Sequence, residues 1–210
     1  FKQKTAYEML RSLVGSEMCI RDRVITETQD LVALDSKITI DDNALYRHQD
    51  LVSALENDPR DMDEDEIIAR KYGFTYVKLE GDIGIMGNGA GLTMASMDLV
   101  KLYGGRPASF LDIGGGANKE RVKAALKILL KRPDIKSIFI NIYGGITKCD
   151  EVASGIVEAI KETGSDKKIF VRLVGTREEE GRKILVENGI GYFTDDNDAA
   201  LEAVRAVSSS

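Results

Sequence analysis

"SIFINIYGGITKCDEVASGIVEAI", residues 137–160, passes from an almost continuous apolar run, through Gly144-Gly145, into a segment whose apolar positions recur at helical spacing. The run "IFINI" has the composition of a strand covered on both faces, as in a parallel sheet lying between two layers of helices. The segment from Cys149 onward reads as the helix that follows, so the stretch is one βα unit. The two glycines at the hand-over have two explanations. They allow a tight turn at positive φ, or they keep the backbone open so that N–H groups ahead of a helix can meet an anion.

The same alternation extends in both directions. The β-type runs "YVKLEGDIGIMGN", "ASFLDIGGG", "KIFVRLVGT" and "GYFTDD" are separated by helical ones, "GLTMASMDLVKLYG", "NKERVKAALKILLKR" and "REEEGRKILVENG", with "NDAALEAVRAV" last. Counting 137–144, this makes five β runs, each followed by a helix, with glycine at the ends. That order implies crossover connections and a parallel sheet. We expect an α/β fold: a doubly wound, five-stranded parallel domain of flavodoxin-like type over residues 76–207, with its chemistry beyond the carboxyl ends of the strands. Upstream, "VITETQDLVALDSKITID" reads as two β segments around Gln29-Asp30, a hairpin within residues 24–58. Pro59 and the acidic run 63–66 fit the start of a linker helix within 59–75.

Residues 1–23, "FKQKTAYEMLRSLVGSEMCIRDR", have no turn chemistry in common with the rest. A short amphipathic helix around Tyr7, Leu10, Leu13 and Val14 is compatible with them. "FKQKTAYE" and "SLVGSEMCIRD" nevertheless read as translated sequencing-library adapter, and we expect the segment not to belong to the natural chain.

Composition narrows the functional classes. A net charge of −6 and a pI near 5.0 argue against nucleic-acid binding, which needs a basic face. No run of about 20 apolar residues is present to span a membrane. Two cysteines, Cys19 and Cys149, fit a reducing compartment better than a disulfide framework. The only histidine, His48, lies in the polar stretch "YRHQD", so the α/β domain has no imidazole for nucleophilic or metal chemistry.

Three strand-to-helix junctions are dense in glycine. "MGNGAGL" places Gly87, Gly89 and Gly91 before a helix, and Asp112 follows about 25 residues later, approximating a dinucleotide fingerprint. The third fingerprint position is Leu92, where close packing calls for Gly or Ala. Asn88, within the same loop, has an amide able both to donate to and accept from a ligand. "DIGGGANKE" offers Asn118 or Ala117 as a helix cap. "YGGITKC" supplies Gly145, Ile146 and Thr147 ahead of a helix, an anion cradle without a Walker lysine. Cys149 beside it reads as a small buried apolar residue.

The stretches "MGNGAGLTMASMDLVKLYGGRPASFLDIGGGANKERV", "NIYGGITKCDEVASGI" and "VRLVGT…EEEG" closely resemble the β-subunit family of succinyl-CoA synthetases, the succinate–CoA ligases, and the resemblance runs from Val24 to the end. It implies an acid–thiol ligase subunit that works with an α subunit carrying CoA and a transiently phosphorylated histidine, so no catalytic residue is expected in this chain. The reversible reaction implied is succinate, CoA and nucleoside triphosphate to succinyl-CoA, diphosphate and phosphate. By the same resemblance Asn88 is a substrate-binding asparagine, and Gly145, Ile146 and Thr147 form the substrate and phosphate loop. Asp35 is one of two Mg²⁺ ligands of an ATP-grasp domain.

Residues 24–58 are then the end of a truncated ATP-grasp domain. The family's "E-I-N-P", with the second Mg²⁺ ligand, is replaced by "RDR", and the residues that hold ATP or GTP are missing. The chain alone is therefore expected to be inactive. Its location is expected to be cytoplasmic, or the mitochondrial matrix in a eukaryote. Alternatives are a malate–CoA ligase or ATP-citrate lyase-related subunit, and a flavodoxin-like binding or assembly module with no catalysis.

Overall fold

The computed structural model describes residues 63–208, the segments 16–18, 23–25, 31–33 and 38–40, and the single residues Thr28 and Arg47. Two compact units divide the chain, residues 1–61 and Met62–Ser210. In the first, β1 (Ser16–Met18) pairs antiparallel with β4 (Ile38–Ile40), and β2 (Arg23–Ile25) with β3 (Leu31–Ala33). The expected hairpin around Gln29-Asp30 is the β2–β3 pair. The helix considered around Tyr7–Val14 lies outside the described residues.

The second unit begins with helix α1 (Glu64–Tyr72). Acidic Glu64, Asp65 and Glu66 occupy its first turn and Arg70 and Lys71 its last, each at the favourable end of the helix dipole. Gly73 ends it in the left-handed region at φ 70°. The helix expected as a linker falls inside this unit: Ala69 and Phe74 are buried in its core, and Arg121 donates through Nε to Tyr72 O at 2.9 Å.

There follow β5 (Thr75–Lys78), β6 (Ile83–Gly87), α2 (Ala90–Leu102), β7 (Ser109–Asp112), α3 (Lys119–Lys131), β8 (Ser137–Gly144), α4 (Cys149–Thr163), β9 (Lys168–Gly175), α5 (Glu178–Glu187), β10 (Tyr192–Phe193) and α6 (Asp196–Ser208). They form one six-stranded sheet in the order β10-β9-β8-β6-β7-β5. The five strands β6 to β10 run parallel, and their order, 2-1-3-4-5 along the chain, is that of the flavodoxin-like doubly wound fold.

The sixth strand, β5, pairs antiparallel with β7 at the edge. The single run "YVKLEGDIGI" divides because Gly81 sits against Arg106 and Pro107, where a Cβ would come within 2.4 Å of both carbonyl oxygens. The added edge is held by Arg132, whose buried guanidinium donates to Tyr76 Oη at 3.1 Å, Ala108 O at 2.6 Å and Leu79 O at 3.2 Å. It also pairs with Asp134, and that bond holds the Asp134 carboxyl below its ordinary range.

Strand β8 is the centre of the core. Ile138, Ile140 and Ile142 pack with Val122, Leu126 and Leu129 of α3 and Val152 and Ile156 of α4. Phe139 joins the opposite cluster with Val100 of α2 and Ala200, Ala203 and Val204 of α6. Burial of each of these side chains larger than alanine stabilises by about 1.5–3 kcal/mol. The polar residues of the run belong to the second face, where each ties a helix to the sheet. Ser137 Oγ donates to Ala203 O at 2.8 Å, and Asn141 Nδ2 to Ser96 Oγ at 2.9 Å.

Candidate functional site

The order of the sheet reverses between β6 and β8, whose following helices lie on opposite faces, α2 with one apolar cluster and α4 with the other. Beyond their carboxyl ends this geometry opens the crevice in which doubly wound sheets bind ligands. Asn88, one residue past β6, faces β8 across that crevice. Its Nδ2 donates to Tyr143 O at 2.9 Å and its Oδ1 accepts from Tyr143 N at 2.8 Å. One N–H and one lone pair of the amide remain for another partner.

The loop 144–148 is the other wall. Neither Gly144 nor Gly145 adopts a positive φ, so a tight turn does not account for the pair. Gly144 is required for space, since a Cβ would lie 2.8 Å from Cys149 Sγ and 2.9 Å from Thr176 N. Gly145 has neither reason: nothing lies within 4 Å of its missing Cβ, and the residue is exposed. Ile146 beside it is 87% exposed. Among the described residues no group accepts from the N–H of Gly145, Ile146 or Thr147, and helix α4 starts at Cys149, after its N-cap Lys148. The exposed donors of Gly145 and Ile146, just ahead of a 15-residue helix, favour an anion, by about 0.3–2 kcal/mol from the dipole alone.

Thr147 differs from its neighbours. It is 1% exposed, and its Oγ1 accepts from Gly116 N at 2.9 Å, so its side chain braces the loop after β7 instead of facing solvent. Asp112, at the end of β7, does similar work. Its Oδ1 accepts from Gly89 N at 2.6 Å and Gly114 N at 2.8 Å. Gly87 packs under Thr93, where a Cβ would meet Oγ1 at 2.5 Å. Asn118 is the cap of α3, accepting from Arg121 N at 3.0 Å. The bracing role of Asp112 was legible only as an acidic residue ending a β run before three glycines.

Cys149 is fully buried with its thiol toward Val174 O, and burial, reinforced by the charge of Glu178, pushes its pKa up to about 11. The thiol is a packing group. Iodoacetamide at pH 8 is expected to leave Cys149 unmodified in the folded chain and to label it in urea, read by peptide mass. Because the unfolded thiol ionises first, its contribution to stability should fall as pH rises from about 9 to about 11.

Asp35 and His48 lie outside the described residues. Among the described residues no group of three or more His, Cys, Asp or Glu side chains could hold a metal ion, and no helix is long and apolar enough to cross a membrane.

Residues 86–207 match the model of the CoA-ligase family, and so include both walls of the crevice. The chain is 57% identical over 198 residues to a protein of Staphylothermus marinus named succinate–CoA ligase (ADP-forming) subunit beta, covering 94% of this chain and 52% of that one. A protein of the same name from Ignicoccus hospitalis is 52% identical over 202 residues, covering 96% and 53%. The chain thus spans about half the length of the curated relatives it matches. Among solved structures, ATP citrate lyase from Methanothrix soehngenii in complex with citrate and coenzyme A superposes with a TM-score of 0.65 at 22% identity, covering 89% of this chain and 53% of that one, a likeness of fold.

Proposed function

The chain belongs to the CoA-ligase family, and we propose that it is the carboxy-terminal part of the β subunit of a succinate–CoA ligase that forms a nucleoside diphosphate. On this reading the chain contributes half of a phosphate site, completed by an α subunit that carries CoA and a phosphorylatable histidine. The N–H groups of Gly145, Ile146 and Thr147, with the α4 dipole, receive oxygens of the phosphoryl group as it passes between substrate and histidine. Oriented donors of this kind stabilise charge without reorganising during the reaction. Asn88, through its remaining N–H and lone pair, orients the substrate beside that phosphate.

The observation that carries the proposal is Gly145, a glycine that neither backbone conformation nor packing requires, at the mouth of a crevice lined with open donors. The names of the relatives support succinate as the acid. Asp35 is proposed as a Mg²⁺ ligand of the nucleotide-binding region, and ATP or GTP as the phosphoryl donor, held by residues upstream of Val24 in the full-length protein. A hard carboxylate oxygen suits that ion. A cytoplasmic or mitochondrial-matrix location follows from the same reading.

Full-length β subunit, expressed with its α partner, should form succinyl-CoA from succinate, CoA and ATP or GTP, with phosphate-dependent reversal. Malate and citrate are the comparison acids. Turnover of malate alone, or of citrate alone, would sink the assignment. Failure to turn over any acid while still binding another protein would favour the assembly-module alternative.

A further inference from the structure

Three side chains close the crevice loops into a ring. Asn88 joins the loop after β6 to the end of β8 through Tyr143. Thr147, from the loop after β8, takes the N–H of Gly116 in the loop after β7. Asp112 completes the circuit by holding Gly89 of the first loop and Gly114 of the second on one oxygen. The Asn88–Tyr143, Thr147–Gly116 and Asp112–Gly89 links cross between segments 55, 31 and 23 residues apart, while Asp112–Gly114 is local. Each has a glycine or a strand end as partner, where the backbone by itself is least constrained.

We propose that Asp112 is the positioning residue of this site: its carboxylate fixes the Asn88–Gly89 turn relative to the Gly114–Gly116 loop, and so sets where Asn88 and the Gly145–Thr147 donors stand. The inference rests on the phosphate-site reading only for its catalytic consequence, because the ring itself is a property of this chain. Gly89 shows why an anchor is needed. It sits at φ 120°, and nothing packs within 4 Å of its missing Cβ, so side-chain contact there does not hold the turn. Its carbonyl accepts from Thr93 N and Thr93 Oγ1, each at 3.0 Å, which ties it to α2, and its N–H bond to Asp112 is what ties it to the loop after β7. A charge-assisted bond from a carboxylate to backbone N–H is about twice as strong as a neutral one, and here one oxygen receives two. The cost of ordering two glycine-rich loops is thereby met before any ligand arrives, which is how a rigid surround raises a rate.

Two readouts test the idea. In this chain, Asp112→Ala should raise amide hydrogen exchange at Gly89 and Gly114 at least tenfold, with exchange in β8 unchanged. Asp112→Asn, whose carbonyl can still accept both bonds, should bring most of the protection back. In the full-length β subunit paired with its α partner, Asp112→Ala should lower kcat about tenfold or more with a smaller change in KM, and Asp112→Asn should recover most of kcat. If Asp112→Ala does not fold, Thr147→Val provides the second cut in the ring, and Gly116 should then be the amide that loses protection.

Unchanged exchange at Gly89 and Gly114 in the alanine variant would overturn the proposal. So would raised exchange with undiminished kcat. An asparagine variant that keeps its protection but loses kcat as fully as alanine would assign Asp112 to direct charge contact with a ligand instead, and would also overturn it. If the wild-type assembly turns over no acid, the functional reading fails, while the exchange arm still decides the ring.

Discussion

Gly145→Asp is expected to leave the fold intact and to lower phosphate-dependent turnover of the assembled enzyme by about 10²- to 10³-fold. Nothing lies within 4 Å of the position a Cβ would take, and the backbone there is not in the left-handed region, so the new side chain meets neither a clash nor a strained φ. Its carboxylate stands, however, where the open N–H groups would receive phosphate oxygens. Two like charges about 4 Å apart near a protein surface repel by about 4 kcal/mol at an effective dielectric of 20, which corresponds to a thousandfold at most. Partial screening by solvent brings the lower figure. Circular dichroism and urea midpoints should match wild type, and steady-state turnover should not. Equal turnover in the two proteins would remove this loop from the mechanism.

Gly175→Ala should do the reverse, destabilising the fold by about 3–5 kcal/mol. At φ 115° the residue is in a region that side chains rarely adopt, and its Cβ would lie 2.1 Å from Gly144 O. That oxygen cannot yield, because it already accepts from Thr176 N at 3.1 Å at the end of the β8–β9 ladder. Overpacking of about 1–3 kcal/mol and backbone strain of about 1–3 kcal/mol act together here. The measurement is a urea unfolding series with the slope held constant, with Gly145→Ala as the companion expected within about 0.5 kcal/mol of wild type. If the two alanine variants unfold at the same concentration, the close approach of β8 and β9 has no energetic weight.

These two glycines, 30 residues apart and each following or ending a strand, look alike in the amino-acid string. One is exposed backbone over a crevice and the other is wedged against a carbonyl. No local pattern separates them, since what distinguishes them is a neighbour brought in by strand pairing. Thr147 is a similar case. Its place before a helix drew attention to its N–H, and nothing local showed that its hydroxyl accepts from Gly116 N, 31 residues earlier. In the amino-acid string Asp112 reads as the acidic residue of a dinucleotide fingerprint at the end of a β run, and the structure gives its Oδ1 two glycine N–H groups from within the chain.

The order of elements from Gly73 onward was legible because burial on both faces leaves its mark on each strand and helix separately. Apolar runs such as "IFINI", the 3.6-residue spacing of α3 and α4, and the glycines at helix ends are consequences of local periodicity, so alternating βα units and a parallel sheet followed from them. The antiparallel edge strand β5 was not legible, because the turn that separates it from β6 depends on Gly81 lying against Arg106 and Pro107. Local periodicity therefore set the layer architecture and which loops gather at one end of the sheet. Which donors in those loops remain open, and which side chains hold them in place, depends on contacts that form only when the chain is folded. Hydrogen bonds between distant segments are made by short polar groups whose partners leave no periodic trace in the chain.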